Sequence, residues 1–186
     1  MSEICIIPKG SFKTTSWSGG TTTELLILPE GASYAERRFE ARISTASVDI
    51  DESVFTPLPG VTRFLTPLCA GFDLTVNGES VSLPFGEVLE FSGDDAVACR
   101  GRGRDLNLML KGVGGSMEIV SGAFTVGEGL RAFVYAPSQT VVSFCREGLS
   151  CSSALMMAGD FAELSAGDLS ASGPLVLFLI ETAAGC

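Results

Sequence analysis

The chain of 186 residues contains no histidine. That absence removes the imidazole base of Ser–His–Asp and Cys–His catalysis. It also removes histidine-ligated zinc and iron centres, so no metal and no cofactor is expected. Charged residues are sparse at 18%, and acids outnumber bases twenty-two to twelve, for a formal charge of −10. A chain this acidic does not hold nucleic acid or an anionic membrane through its net field. No apolar run spans a bilayer; the longest is 175–180. The start, Met1-Ser2-Glu3-Ile4-Cys5, lacks a basic segment followed by a long apolar stretch, so a cytoplasmic location is expected. No two of the six cysteines stand as C-x-x-C. Most lie among apolar residues, which points to reduced, buried thiols. Neither the phosphate-binding G-x-x-x-x-G-K-[ST] nor the G-x-S-x-G nucleophile turn occurs.

What is abundant is strand. Hydrophobic residues make up 46% and glycines number 22. Thr21 to Leu28, Arg38 to Val48, Val61 to Leu65 and Asp105 to Lys111 read as strands, as do Leu130 to Ala136, Thr140 to Cys145, Ala154 to Met157 and Pro174 to Glu181. Asn77-Gly78 separates two short alternating runs, a hairpin signal because both turn positions need positive φ. Turn residues recur every 8–12 positions or so, as in a sandwich or barrel. The one helix-like stretch is Ser33 to Arg37. Glu90 to Ala98 resembles Glu163 to Ala171, each with a Gly-Asp step, which suggests a duplicated barrel. The glycine-rich Lys111 to Ser116 is the candidate seam, dividing the chain into domains 1–112 and 113–186.

Period-two alternation then sorts the polar residues. Arg42 and Ser44 share a face with Glu40; Asn107 and Met109 share one with Asp105 and Lys111. These faces line either a cavity or a solvated exterior. Arg63 shares a face with Val61 and Leu65. An arginine among apolar neighbours is either paired, here with Glu24 or Asp105, or aimed at an anion. Three other features have plain readings beside sharper ones. Trp17-Ser18-Gly19-Gly20 is a tight turn or an anion nest. Arg100, Arg102 and Arg104 form a solvated basic loop or an anion site, and Asp49, Asp51 and Glu52 are too few for a calcium loop.

Several of these pieces occur together in one known family. Trp17 to Leu25, Phe39 with Arg42 to Ala46, Phe55 with Leu58 to Arg63, Leu68 to Gly71, Pro84-Phe85, Phe91 to Asp94 and Asp105 to Met109 follow one another as in the HutD/Ves family of cupin-like proteins, which the chain resembles across about residues 12–112. The resemblance implies an all-β bicupin: two jelly-roll, cupin-like barrels with little helix. It implies a link to histidine catabolism or its regulation, and a small-molecule site whose polar wall is Arg42, Ser44, Arg63 and Asn107. The chain departs from the family pattern at Ala41, Thr62, Lys111 and 51–55.

Together these readings lead to a non-catalytic binder of a small anionic metabolite. Arg63 or Arg42 clamps the carboxylate of an organic acid or acylated amino acid. Asn107 and Ser44 meet its polar end, Phe55 and Met109 supply apolar wall, and Glu24 orients an arginine. Two other readings stand beside it. One is a metal-independent enzyme with Glu24 or Asp105 as general base. The other is a structural protein with a vestigial cavity, both arginines paired internally. The apolar final strand also allows a homodimer.

Overall fold

The structure is a computed structural model that describes residues 3–145 and 151–181. Among these residues the only helix is one 3-10 turn, Lys9–Ser11. The strands, numbered in chain order, are β1 (Ile4–Ile7), β2 (Lys13–Trp17), β3 (Gly20–Leu28), β4 (Ala41–Val48), β5 (Glu52–Val54), β6 (Thr62–Pro67), β7 (Phe72–Val76), β8 (Glu79–Leu83) and β9 (Leu89–Ser92). They continue with β10 (Val97–Arg100), β11 (Gly103–Leu110), β12 (Gly115–Val126), β13 (Leu130–Tyr135), β14 (Thr140–Cys145), β15 (Ser152–Met156), β16 (Phe161–Leu164) and β17 (Gly167–Glu181).

Two compact units result. The first is Phe12–Gly112; the second joins the residues up to Ser11 with those from Val113 on. The first eleven residues therefore leave the domain 1–112 expected from the sequence. The cause is pairing: β1 adds to the edge of β16, with Ile4 opposite Leu164 and Ile7 opposite Phe161.

The first unit has two antiparallel sheets, β2-β3-β4-β11-β6-β9 and β5-β10-β7-β8. Leu65 and Phe91 of the larger sheet meet Phe72, Leu74, Leu83, Val97 and Cys99 of the smaller one in a buried cluster. Each large apolar side chain removed from water there contributes about 1.5–3 kcal/mol. The Asn77-Gly78 turn joins β7 to β8 directly, Val76 lying opposite Glu79. Both turn residues have positive φ, 51° and 90°. A Cβ on Gly78 would meet nothing within 4 Å, so Gly78→Ala costs only backbone strain. We expect about 1–2 kcal/mol, read as a lower urea midpoint with an unchanged slope.

In the second unit the sheet order is β1-β16-β13-β17-β14-β15, and β12 pairs along β17. The long β17 is shared: its Val176–Glu181 part lies beside β13 and its Asp168–Ala171 part beside β14. Phe161 stacks on Phe133 at 5.5 Å and meets the edge of Phe178 at 6.2 Å, all three fully buried.

Three local expectations are corrected. Ser33 to Arg37 is not helical: Ser33 and Arg38 form an isolated bridge around a turn in which Arg37 has φ 58°. The two Gly-Asp steps are not equivalent. Gly93-Asp94 lies in the turn between β9 and β10, whereas Gly167 opens β17, already paired with Val126. The cysteines are not uniformly buried thiols. Cys145 and Cys151 form a disulfide, Cys5 and Cys69 are exposed, and Cys99 is buried. Cys186 lies outside the described residues.

Candidate functional site

The site is built by the register of three central strands. Arg42 of β4 lies opposite Met109 of β11, and Met109 opposite Arg63 of β6. Two residues along, Ser44, Asn107 and Leu65 form the next row; Ala46, Asp105 and Pro67 form the third. Alternation puts all three rows on one face. Strand spacing separates the Arg42 and Arg63 backbones by about 10 Å. Phe91 of β9 extends the first row beside Arg63, and Ile27 of β3 extends it beside Arg42. A bulge on β3 between Glu24 and Leu26 shifts the parity of that strand. Glu24 therefore faces the same side as Ile27 and lies opposite Ser44.

Arg42 is paired. Its Nε donates to Glu24 Oε2 at 2.7 Å and its Nη1 to Ser44 Oγ at 3.1 Å. Its guanidinium sits 4.2 Å from the centre of the Tyr34 ring. Glu24 thus orients an arginine, and that arginine is Arg42.

Arg63 is different. It is 6% exposed, yet it has no carboxylate within ion-pair distance among the described residues. Its Nη1 donates to the Thr56 carbonyl at 3.3 Å, and its Nε–H has no partner. The guanidinium lies over Phe55 at 4.9 Å and Phe91 at 5.1 Å. Each ring face attracts a cation by about 0.5–2 kcal/mol. Burial still dominates and lowers the Arg63 pKa to about 10. Of the two alternatives open for Arg63, pairing with Glu24 or Asp105 does not occur.

Asn107 donates Nδ2–H to Asp105 Oδ1 at 2.7 Å, and its own Oδ1 has no partner. Asp105 is 4% exposed. Burial raises its pKa to about 7, against the opposing pull of Asn107, the Ala46 backbone N–H and the Arg63 charge. Met109 packs with Phe39, Leu58 and Val61. Two cations and two acids therefore face one interior. Whenever Asp105 is neutral, that interior carries a positive excess in a chain whose total is −10.

A cleft of about 190 Å³ opens onto Arg42 and Glu24, walled by Lys13, Thr15, Ser33 and Tyr34. A second hollow, beside Gly60 and Glu90, is shallow and reaches none of the polar side chains just described except through Phe91 in its wall. The basic and acidic loops quench each other: Arg102 pairs with Asp51 and Arg100 with Glu52, both in water. Trp17 to Gly20 is a hairpin turn, and a Cβ on Gly20 would lie 1.9 Å from the Ser47 carbonyl oxygen.

Of the residues read from the sequence, Arg42, Ser44, Arg63, Asn107, Met109 and Glu24 face one side of the sheet, and Phe55 closes over Arg63. Tyr34, Phe91 and the Asp105–Asn107 contact were missed as parts of the site. Tyr34 lies in the segment misread as helix. Phe91 becomes a neighbour of Arg63 only through the β6–β9 register. An alternating Asp-x-Asn pair on one strand was the available signal for the third.

The fold is that of the cupins. Oxalate decarboxylase from Bacillus subtilis superposes with a TM-score of 0.58 at 9% identity, over 98% of this chain and 78% of that one. The chain belongs to the HutD family, whose model matches residues 9–173. HutD from Pseudomonas fluorescens SBW25 superposes with a TM-score of 0.77 at 23% identity, over 97% of this chain and 100% of that one. A conserved protein of unknown function from Pseudomonas aeruginosa PAO1, PA5104, gives 0.76 at 22% identity, over 97% and 98%. No curated protein sequence matches the chain. The oxalate decarboxylase has Mn(II) centres. The interior here does not fit such an ion. It offers two arginines and no imidazole, and among the described residues no three cysteine, aspartate or glutamate side chains come together in a metal-binding group.

Proposed function

We propose that this chain is a non-catalytic binding protein for a small carboxylate, an organic acid or acylated amino acid, within histidine catabolism or its regulation. The reading adds a cupin-like barrel in each unit and a cytoplasmic location. One observation carries it: a buried arginine with no carboxylate partner and an unused N–H. An unpaired buried charge is costly, and a structural arginine acquires a partner. Arg63 takes the ligand carboxylate, while Arg42, already paired with Glu24, adds charge to the wall. Phe55 and Met109 are the apolar contacts. The vestigial-cavity reading is favoured by an interior filled with Phe and Leu side chains and by pairing of both arginines; Leu65, Phe72, Leu74, Leu83 and Phe91 do pack together, but Arg63 has no ion-pair partner among the described residues.

A second reading, a metal-independent enzyme, draws on Asp105. A carboxylate with a pKa near 7 is suited to proton transfer at neutral pH. Its oxygens are, however, already committed to Asn107 and to the Ala46 N–H. Calorimetric titration with acetate, succinate and N-formylglycine tests the binding reading. Arg63→Ala should weaken whichever binds by about 10- to 100-fold. Unchanged affinity sinks the clamp.

A further inference from the structure

The second unit carries a disulfide that ties the end of β14 to the start of β15, between Cys145 and Cys151. In the register of these strands Phe144 lies opposite Ser152, so the bonded pair forms the next rung out. Alternation puts both sulfurs on the outer face of the sheet. They stand in line with Ser143 and Ser153, whose hydroxyls meet at 2.8 Å, and with Val141 and Leu155. Both cysteines are exposed, so an external thiol reaches the bond without the unit unfolding.

The strand held by this bond has little else to hold it. β15 ends its sheet and pairs with β14 alone. Of its five residues only Met156 is buried. Beyond β14 its polar contact is with the N-terminal segment, where Ser152 Oγ donates to Glu3 Oε2 at 2.7 Å. β16 is the contrast. It lies between β1 and β13, with Phe161, Ala162 and Leu164 all buried.

The bond is also not part of a disulfide framework. A secreted domain built on such a framework pairs most of its cysteines. Here one bond joins positions six apart, while Cys5, Cys69 and Cys99 stay free. An exposed disulfide is the labile kind, open to exchange with small thiols.

We propose that Cys145–Cys151 is a thiol–disulfide exchange site for a low-molecular-weight thiol of the glutathione class, and that its redox state decides whether β15 stays zipped to β14. This goes beyond the carboxylate reading and does not depend on it. The chemistry is a two-electron exchange. One external thiolate attacks a cysteine sulfur, forms a mixed disulfide and releases the other cysteine as a thiolate. A second external thiolate attacks its own kind in that mixed disulfide and releases the remaining cysteine. The protein disulfide is reduced to two thiols, two external thiols are oxidised to one disulfide, and their two protons end on Cys145 and Cys151. The reverse sequence restores the bond.

The test uses the full chain carrying Cys5→Ser, Cys69→Ser and Cys186→Ser, so that among the exposed cysteines only the pair reacts. It is equilibrated in excess oxidised or excess reduced glutathione. Thiol alkylation with mass spectrometry reads the bond, and amide hydrogen exchange reads the strands. The bond should form in the first buffer, open in the second and re-form on return. On reduction the amides of 140–144 and 152–156 should exchange about 10- to 100-fold faster, the effect of removing a cross-link that closes a short loop. Those of β13, β16 and the first unit should keep their rates. In Cys145→Ser/Cys151→Ser the fast rates should appear in both buffers. Should that variant fail to fold, the single chain compared at its two redox extremes carries the test.

Cysteines that remain thiols in oxidised glutathione, or a bond that survives excess reduced glutathione, overturn the exchange site. A bond that opens while β15 keeps its protection overturns the zip. Reduction that unfolds the whole second unit makes the disulfide a structural staple and overturns the local role.

Discussion

Asp105→Asn stabilises the protein at pH 8 and changes little at pH 5. The folded-state pKa of Asp105 is raised from the usual carboxylate value of 3.8 to about 7 by burial. A group whose pKa is raised on folding stabilises fully below its unfolded value. That contribution is lost as pH rises through the folded value. Here the window runs from about pH 4 to somewhat above 7. The gap of about three pH units corresponds to about 4 kcal/mol of destabilisation once the carboxylate is ionised. Asparagine retains the shape and carries no charge. Its oxygen can accept from the Ala46 N–H as the carboxylate does, but more weakly for want of charge, which returns about 1 kcal/mol of the gain. Thermal unfolding followed by circular dichroism at the two pH values measures the difference. A midpoint that rises by several degrees at pH 8 alone is the expected result. Parallel pH dependence in the two proteins would show that Asp105 ionises freely in the folded state.

Arg63→Met should raise stability while weakening ligand binding by about 10- to 100-fold, as Arg63→Ala does. The wild-type guanidinium is buried, has no carboxylate partner and leaves Nε–H unsatisfied. Methionine removes the charge, fills much of the volume and places a sulfur between Phe55 and Phe91, an arrangement aromatic rings favour. Exchanging buried charge for apolar side chain is commonly neutral or stabilising by about 1–4 kcal/mol. Such a gain coupled to weaker N-formylglycine binding is the signature of a residue kept for function at the expense of the fold. Urea unfolding and calorimetry together provide the check. A loss of stability above about 1 kcal/mol would make Arg63 structural, held by its two rings and the Thr56 carbonyl. The two substitutions are not additive, because the Arg63 charge is one of the influences that lowers the Asp105 pKa.

Much of the first unit was legible in the sequence because its strands alternate cleanly. The run from Asp105 to Met109 shows by period alone that Asp105, Asn107 and Met109 share a face and that Leu106, Leu108 and Leu110 share the other. The Asn77-Gly78 turn was equally plain, since few residue pairs tolerate positive φ twice. Ser33 to Arg37 was misread because a short polar segment with glutamate and arginine carries helix propensity. The bridge between Ser33 and Arg38 overrides it. The matched Gly-Asp steps misled for a similar reason. The same dipeptide serves a turn in one place and a strand opening in the other.

By itself the sequence determined the all-β class, the lack of imidazole chemistry, the family and the side chains available to a site. Those follow from composition, alternation and turn residues, which act over a few positions. Tertiary structure alone decided which arginine is free. Glu24 reaches Arg42 rather than Arg63 because a bulge on β3 turns it toward Ser44, and register then leaves Arg63 between two phenyl rings. Pairing of charges depends on contacts between strands far apart in the chain, and no local pattern encodes a one-residue bulge.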